Sequence, residues 1–251
     1  WQKSRHPEIF QPKIAVQHEG IDTEGLGPDA SAWVKTPSGT VLKAGDPVVT
    51  YVARNLEPYR GFHIFMRALE KLQERHKTVH ALIVGGDDVS YGKRPKDAPN
   101  WREKMLREVK LDPARTHFLG RVPRTQYIKV LQVSATHVYL TYPFVLSWSL
   151  LEAMACGAAI VASDTAPVRE VIGDGTNAMV TSFFDTELLA DRVECAVQAA
   201  SRSPLGRRAV PDDTKHYSIA RGLSGYAGVV GGFVASLADE SELHFERETA
   251  C

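Results

Sequence analysis

Short apolar runs alternate with segments of helical periodicity through most of the chain. Each run is followed by polar or turn-forming residues, which is typical of strands buried on both faces of a sheet. The predicted strands lie at 48–53, 80–85, 117–120, 136–141, 158–162 and 177–181. The predicted helices lie at 62–76, 101–109, 124–133, 148–156 and 185–200. Strands separated by helices predict an α/β fold class, a Rossmann-like parallel sheet with helices on both faces.

The two ends of the chain depart from this pattern. Residues 1–46 are polar and rich in turns, apart from an extended apolar piece at 14–16. Near the other end, closely spaced glycines weaken any helix, and the last residues are acidic and irregular. These glycines are Gly222, Gly225, Gly228, Gly231 and Gly232. We therefore expect a linker or edge segment over 1–46, a Rossmann-like domain over 47–200 and an irregular extension over 201–251.

Composition narrows the class of protein. The 251 residues are 43% hydrophobic, which is ample for a core, and the formal net charge of +0 gives no field that would attract nucleic acid. The cysteines Cys156, Cys195 and Cys251 form no CxxC pair and are odd in number, which favours free thiols in a reducing cytosol. No run reaches transmembrane length, and the first residues lack a signal-peptide pattern. We expect a cytoplasmic protein.

Residues 141–172 carry the most informative chemistry. The loop Ser147–Ser149 leads into a helix that ends at Gly157, a strand follows, and a second helix then begins with Pro167 in its first turn. The N-terminus of the first helix offers free N–H groups and a positive dipole end to an anion, typically a phosphate. Glu152, one turn further along, is placed to hold a ribose diol. The combination predicts a site for a nucleoside diphosphate.

This segment resembles a known family. The string Leu151–Gly157, followed by Ala162-Ser163 and by Pro167-x-x-Glu170, is similar to the donor-binding signature of group 1 (family 4) retaining glycosyltransferases. The resemblance covers the chain to about residue 200. It implies the C-terminal half of a GT-B fold, in which two Rossmann-like domains face a cleft and this one binds the nucleotide sugar. Residues 18–22 resemble the linker between the two domains.

The resemblance also implies a phosphate clamp. Arg54 and Arg60 flank a Pro-containing turn after the first strand, and Arg60-Gly61 matches a Lys-Gly of the family. Arginine carries a permanent charge and a planar fork that suits phosphate oxygens. An isolated arginine usually only solvates a loop, but two around a turn at a strand's carboxyl end favour function. The expected catalytic residues are Arg54, Arg60 and Glu152.

Other turns complete the expected donor site. Gly120-Arg121-Val122 resembles the family's nucleobase-contacting turn, although an ordinary βα turn explains it equally well. Gly85-Gly86 ends a strand, where a missing Cβ allows close approach to a ligand or simply a tight turn. The expected donor-binding residues are Gly85, Gly86, Arg121, Val122, Ser147, Trp148, Ser149 and Leu150.

The sequence offers little support for a metal site, and it departs from the family pattern at one position. Asp87-Asp88 could hold a magnesium ion, but a solvated acidic loop is the better interpretation, and the histidines show no ligand spacing. We expect no metal and no cofactor besides the nucleotide-sugar substrate. The family's first glutamate, eight positions before Glu152, is replaced by Phe144. Because that glutamate contacts the donor sugar in the family, the resemblance implies that its loss affects sugar preference and catalysis.

The sequence therefore predicts an enzyme that transfers a sugar from a nucleotide diphosphate to an acceptor with retention, as in polysaccharide biosynthesis. The acceptor, a glycan, lipid or small molecule, is not specified, and we expect a protein that is cytoplasmic or peripheral at the inner membrane face. An alternative is an inactive nucleotide-binding module, or one half of a split enzyme whose N-terminal domain is a separate chain. A nucleotide-sugar epimerase is less favoured, and a nicotinamide dehydrogenase least, because no GxGxxG follows the first strand.

Overall fold

The structure is a computed structural model that describes residues 2–142, 145–202 and 214–232. The chain forms two compact units. One consists of residues 23–214, and the other combines 1–22 with 215–251. Each unit is described by itself below.

Eight strands belong to the larger unit. Strands β1 (Trp33–Lys35) and β2 (Val41–Lys43) pair as an antiparallel hairpin. The remaining strands are β3 (Val48–Asn55), β4 (His80–Gly86), β5 (Thr116–Gly120), β6 (Thr136–Tyr139), β7 (Ala159–Ser163) and β8 (Met179–Thr181). They form one sheet in the order β5-β4-β3-β6-β7-β8, and every pair is parallel. The predicted parallel sheet is confirmed, with the strand limits moved by a few residues.

Helices connect these strands. They are α2 (Phe62–Arg75), α3 (Trp101–Glu108), α4 (Arg124–Val133), α5 (Trp148–Ala155), α6 (Ala166–Arg169) and α7 (Thr186–Arg202). The smaller unit begins with α1 (Gln2–Arg5). Short 3-10 helices lie at Glu8–Lys13, Pro58–Arg60 and Lys215–Tyr217. The predicted helix at 124–133 has the limits of α4, and the others agree within two residues at each end.

The sheet is buried on both faces because its strands are apolar at successive positions. In β3, Val49 and Tyr51 pack with α2 and α7 in the main core, whereas Val48 packs on the other side with Val130 and Val133 of α4. This two-sided burial explains the continuous apolar runs in the sequence. The α/β prediction with helices on both faces is confirmed.

The strand order creates one crevice of special importance. From β3 the chain builds outward through β4 and β5, then returns to place β6 on the other side of β3. The connections after β3 and β6 therefore leave the sheet in opposite directions. Ligands of open α/β sheets bind in such a crevice, outside the carboxyl ends of the strands.

The segment predicted as a linker is partly built into the larger unit. The β1–β2 hairpin packs Val34 and Leu42 against the α4 side of the sheet, where they join Val48 and Val130 in one cluster. Each short strand buries its central residue and exposes its neighbours. With only one buried side chain per strand, the hairpin has too little apolar periodicity to stand out in the sequence.

The expectation of a wholly irregular segment after residue 200 is wrong. Residues 201 and 202 end α7, and residues 219–232 are helical. Two of the glycines explain why a helix is compatible with this sequence. A Cβ on Gly222 would overlap the carbonyl of Glu19, and one on Gly225 would overlap the side chain of Gln17. Here glycine permits close packing inside the smaller unit, and that packing outweighs its low helix propensity.

Candidate functional site

A cavity of about 100 Å³ lies in the crevice between β3 and β6. Its walls come from the end of β3, the following turn, the end of β6 and the start of α5. Four of the predicted site residues line it together, namely Arg54, Arg60, Ser147 and Ser149. Segments far apart in the sequence thus meet at the position that the sheet topology favours for a ligand.

The side chain of Arg60 is fixed in place by residues at and after the end of β6. Its Nη1 donates hydrogen bonds to Tyr139 Oη at 3.2 Å, Thr141 Oγ1 at 3.0 Å and the Val145 carbonyl at 3.0 Å. Gly61 follows with a φ of +70°, and a Cβ there would overlap Leu140. The glycine of the Arg-Gly pair is therefore required by the backbone conformation and by the close approach of β6.

Arg54 differs from Arg60 in its contacts with the rest of the protein. It is exposed at the end of β3 and has no hydrogen-bond or ion-pair partner among the residues that the structure describes. Its guanidinium can therefore meet an anion without giving up a contact inside the protein. The cavity combines one positioned cation with one available cation.

Glu57 is a site residue that the sequence analysis missed. It lines the cavity, is fully buried, and accepts backbone N–H bonds from Tyr91 at 3.2 Å, Gly92 at 3.0 Å and Ser90 at 3.3 Å. The carboxylate thereby ties the loop after β4 to the turn after β3. The sequence pattern that could have indicated Glu57 is its position between two arginines after the end of a strand.

The same loop places Tyr91 in the cavity wall, where its ring lies 5.9 Å from the guanidinium carbon of Arg60. Tyr139 lines the opposite wall, and burial raises the pKa of its hydroxyl. A protonated phenol accepts from Arg60 while it keeps its own O–H. Neither tyrosine was predicted, because an aromatic residue inside a loop or at a strand end carries no distinctive sequence pattern.

The N-terminus of α5 offers fewer free donors than the sequence suggested. Ser147 caps the helix, its N–H donates to Tyr139 Oη at 2.7 Å, and its Oγ accepts from the Ser149 N–H at a long 3.5 Å. Leu150 is fully buried and its N–H donates to the Ser147 carbonyl, so its expected ligand contact is not supported. Trp148 is 58% exposed, and its N–H has no partner within the described part of the chain.

Glu152 does not line the cavity. Its side chain is 8% exposed, and its Oε1 accepts a hydrogen bond from Arg124 Nη1 at 2.6 Å. Its Oε2 accepts from the hydroxyl of Tyr127, whose pKa is raised by burial and by the nearby carboxylate. Both partners belong to α4 and were not predicted. The carboxylate retains lone pairs for a diol, but it is already engaged on two sides.

The Gly85-Gly86 pair and the Gly120–Val122 turn lie on the side of β3 that is opposite β6. A Cβ on Gly85 would come within 2.8 Å of Leu56 Cδ2, and one on Gly86 within 2.7 Å of Arg121 Nε. The close approach at these glycines is therefore made by protein atoms. Val122 packs partly buried against the α4-side core.

The Gly120 backbone differs, with a φ of +65° and open space where a Cβ would project. Arg121 extends from this turn to donate to Asn55 Oδ1 at 3.0 Å. The structure thus brings the predicted nucleobase turn beside the end of β3, although its residues are not among those that line the cavity.

The acidic loop is neutralised by arginines. Asp87 pairs with Arg102 at 2.8 Å and Asp88 with Arg94 at 2.9 Å. Within the described residues, no group of three or more His, Cys, Asp or Glu side chains is arranged to hold a metal ion. Phe144 lies outside the described residues. Across the described ranges, no helix combines the length and apolar character needed to cross a bilayer.

Solved structures with the same fold are glycosyltransferases. The chain superposes with a TM-score of 0.70 on the Anabaena protein HepE crystallised with UDP-glucose, at 18% identity, over 88% of this chain and 58% of that one. It also superposes with a TM-score of 0.62 on the C-terminal domain of the group 1 family glycosyltransferase LpcC from Francisella tularensis, at 18% identity, covering 80% of this chain and 100% of that one. The architecture is that found in GT-B glycosyltransferases.

The chain belongs to the family described as "Glycosyl transferases group 1", whose pattern matches residues 46–199. It is 32% identical to the phosphatidyl-myo-inositol mannosyltransferase of Mycolicibacterium smegmatis, over 75% of this chain and 51% of that protein. It is 24% identical to the D-inositol 3-phosphate glycosyltransferase of Mycobacterium ulcerans, over 89% of this chain and 47% of that protein. The chain thus spans about half the length of the curated relatives it matches. The predicted family is confirmed.

Proposed function

We propose that this chain is the donor-binding half of a glycosyltransferase that moves a sugar from a nucleoside diphosphate to an acceptor with retention at the anomeric carbon. The observation that carries the proposal is the meeting of Arg54, Arg60 and the start of α5 in the crevice between β3 and β6. Two guanidinium groups and a helix N-terminus favour a diphosphate in that position. The UDP-glucose named in the structure of HepE, which shares this fold, supports the choice of ligand.

Each group has a distinct role in this proposal. The bond between the anomeric carbon and the diphosphate oxygen breaks, the acceptor oxygen bonds to the same face of the sugar, and the proton of the acceptor hydroxyl passes to the departing diphosphate. Arg54 and Arg60 neutralise the negative charge that grows on the departing diphosphate, and fixed charges of this kind are often the largest single contribution to catalysis. The Trp148 N–H, which has no partner in the described part of the chain, adds a donor at the helix N-terminus. Glu152 holds the ribose diol while it keeps at least one partner on α4.

The nucleobase occupies the open side of Gly120, beside Arg121 and Val122. Gly85 and Gly86 serve this part of the site by letting Leu56 and the Arg121 side chain approach the strand ends. The acceptor is a glycan, a lipid or a small molecule. A polyol is favoured because the names of two relatives include inositol. The acceptor-side domain is contributed outside these residues, in the same polypeptide or as a separate chain. The location is cytoplasmic or at the inner membrane face.

Calorimetric titration of the chain with UDP, GDP and ADP tests the proposal. One of them is expected to bind in the micromolar to low-millimolar range. Arg54→Ala should weaken that binding about a hundredfold, which corresponds to about 2.7 kcal/mol, because charged hydrogen bonds to phosphate are lost. The melting temperature should stay unchanged, since Arg54 has no partner in the described protein. The exposed Lys77→Ala variant, at the amino end of the sheet, is the control.

Binding of no nucleotide, or equal binding by wild type and Arg54→Ala, would refute this assignment of the crevice. A second candidate is a nucleotide-binding module without transfer activity, which Phe144 favours because it replaces the glutamate that meets the donor sugar in related proteins. Slow hydrolysis of a bound nucleotide sugar by the chain would argue against the module, whereas binding with no bond cleavage, even with an acceptor-side domain added, would support it.

A further inference from the structure

A second cavity, of about 400 Å³, lies beside the proposed donor site. It is lined by the turn Pro58-Tyr59, the loop from Gly92 to Asp97 and the first residues of α3. Its lining carries four cations and a single carboxylate. These charged residues are Lys93, Arg94, Lys96, Lys104 and Asp97. The chain as a whole has no net charge, so this local excess of positive charge is a property of the cavity.

Two of these cations are already paired. Lys104 Nζ lies 2.6 Å from Asp97 Oδ2, so it neutralises the one carboxylate of the lining. Arg94 lies 2.9 Å from Asp88. Lys93 and Lys96 are exposed, and their side-chain ammonium groups have no hydrogen-bond or ion-pair partner among the described residues. They are the charges that the protein itself leaves uncompensated.

The loop that carries these lysines is held by hydrogen bonds at both ends. The indole Nε1 of Trp101 donates to the Lys93 carbonyl at 2.9 Å, and Arg107 donates to the Asp97 carbonyl at 2.9 Å. Asn100 accepts from the Glu103 N–H at 2.8 Å and so caps α3. The lysines therefore project from a preorganised loop, which lowers the entropic cost of binding an anion between them.

The wall between the two cavities is thin. Tyr91 and Glu57 line the donor site, whereas the adjacent Gly92 lines the cationic cavity. A Cβ on Gly92 would lie 3.3 Å from the ring of Tyr59 and 3.5 Å from Glu57 Oε2. The same loop thus closes both cavities. The Tyr59 and Trp101 rings give the cationic cavity an apolar side that suits the carbon part of a ligand.

We propose that this cavity is a second anion-binding site, which takes a phosphate ester other than the nucleotide between Lys93 and Lys96. Lysine is a common phosphate binder as a point charge, and the rings of Tyr59 and Trp101 receive the organic group. A soluble phosphate monoester and the phosphodiester of a lipid headgroup share this chemistry. The site goes beyond the proposed donor function, because none of its unpaired charges lines the donor cavity.

The test uses the indole N–H signal of Trp101 in nitrogen-proton NMR spectra, assigned with Trp101→Phe. Titration with sn-glycerol 3-phosphate should shift this signal in a saturable way. Lys93→Gln/Lys96→Gln should weaken the apparent affinity about tenfold or more, since two charged contacts to phosphate are removed. The control Lys35→Gln/Lys77→Gln removes the same charge from exposed lysines of β1 and the sheet's amino end, and should leave the affinity unchanged.

A second arm identifies the source of the phosphate. Sedimentation with phosphatidylglycerol–phosphatidylcholine vesicles, compared with phosphatidylcholine alone, measures lipid binding by the same variants. A saturable response to glycerol phosphate supports a soluble ligand, and binding to anionic vesicles that is lost only in Lys93→Gln/Lys96→Gln supports a headgroup. The proposal is overturned if neither probe binds, or if both double variants bind as the wild type does.

Arg54→Ala separates this site from the proposed function. Because Arg54 lines the other cavity, its removal should weaken nucleotide binding about a hundredfold and leave the Trp101 response to glycerol phosphate intact. A Trp101 response without any nucleotide binding would refute the donor assignment alone. Loss of the Trp101 response in Arg54→Ala would show that glycerol phosphate binds in the donor site, and would overturn the second site.

Discussion

The two ends of the proposed donor site differ in how much of their charge the protein already uses. At the phosphate end, Arg54 is exposed and has no partner among the described residues. At the ribose end, Glu152 is almost fully buried and already accepts hydrogen bonds from Arg124 and Tyr127. Both residues match the same family signature. The match therefore identifies the side chain but not whether it is free to meet a ligand.

Arg60 is intermediate between these two states. It lines the cavity, yet Tyr139, Thr141 and Val145 accept from one of its nitrogens. Arg54 is therefore expected to affect only ligand binding, whereas Arg60 is expected to affect both ligand binding and the stability of the protein. A cation with no internal partner contributes only when the ligand arrives, whereas an internally bonded cation also stabilises the empty protein.

The largest expected effect on stability comes from Arg60→Ala. Removal of its guanidinium leaves the Thr141 hydroxyl and the Val145 carbonyl without this donor, so the free energy of unfolding should fall by about 2 kcal/mol. Nucleotide affinity should also fall, by about tenfold or more, since a guanidinium that neutralises the phosphate is lost. Urea unfolding and calorimetric titration of the same sample measure the two effects.

Arg60→Lys is the matched variant, because it keeps the charge and loses the planar fork. It should recover part of the nucleotide affinity while the unfolding free energy stays close to that of Arg60→Ala. If Arg60→Ala were as stable as the wild type, the distinction drawn between Arg54 and Arg60 would be wrong.

A second prediction concerns the sheet beneath both ends. His137 of β6 is fully buried and its Nδ1 lies 2.9 Å from Thr50 Oγ1 of β3. Burial lowers the pKa of His137 from 6.5 to about 3. The unfolded state therefore takes up a proton first, and the stability that His137 contributes is complete above pH 6.5 and is lost as the pH falls towards about 3. Between pH 6.5 and 5 the loss should be about 2 kcal/mol.

Urea unfolding at several pH values, with His137→Asn as the comparison, measures this contribution. The variant should show a shallower loss of stability below pH 6.5, with a remainder from His63, whose pKa burial lowers to about 4. At pH 7.5 its nucleotide affinity should match the wild type, since His137 does not line the cavity. A variant with the wild-type acid slope would show that His137 does not titrate as its burial implies.

The fold could be predicted from the sequence, but the state of the site could not. Apolar runs and helical periods located the strands of the sheet and the helices of the larger unit. The strands were recognisable because a strand buried on both faces is apolar at successive positions. The β1–β2 hairpin and the helix at 219–232 were missed, since one depends on two buried residues and the other on glycines that permit close packing.

Within the site, the family resemblance and the positions after strand ends predicted Arg54, Arg60, Ser147 and Ser149, which meet because strand ends converge at one crevice. They did not identify Glu57, Arg124 or Tyr127. Their roles depend on contacts between elements far apart in the chain, and each is an ordinary polar residue in its own segment. Leu150 is the converse case, because its position in the motif predicts a ligand contact although the residue is fully buried.

The smallest expected effect tests the ribose end. Arg124→Ala removes one partner of a buried carboxylate, but Arg124 is itself half exposed, so solvent screens part of the attraction. A double-mutant cycle with Glu152→Ala should give a coupling energy of about 1 kcal/mol in urea unfolding. Glu152→Ala alone should lower nucleotide affinity more than Arg124→Ala does, because only the carboxylate can accept from a diol.

The cycle also decides whether the two ends of the site really differ. A coupling energy near zero would mean that Arg124 does not stabilise Glu152, and the contrast between the ends would then rest on the Tyr127 hydroxyl alone. If instead Arg124→Ala tightened nucleotide binding, Arg124 would be a competitor that the ribose must displace from Glu152. A measurable coupling with unchanged affinity in Arg124→Ala would leave Glu152 engaged on one side and open to the ligand on the other, because a carboxylate has lone pairs enough for both.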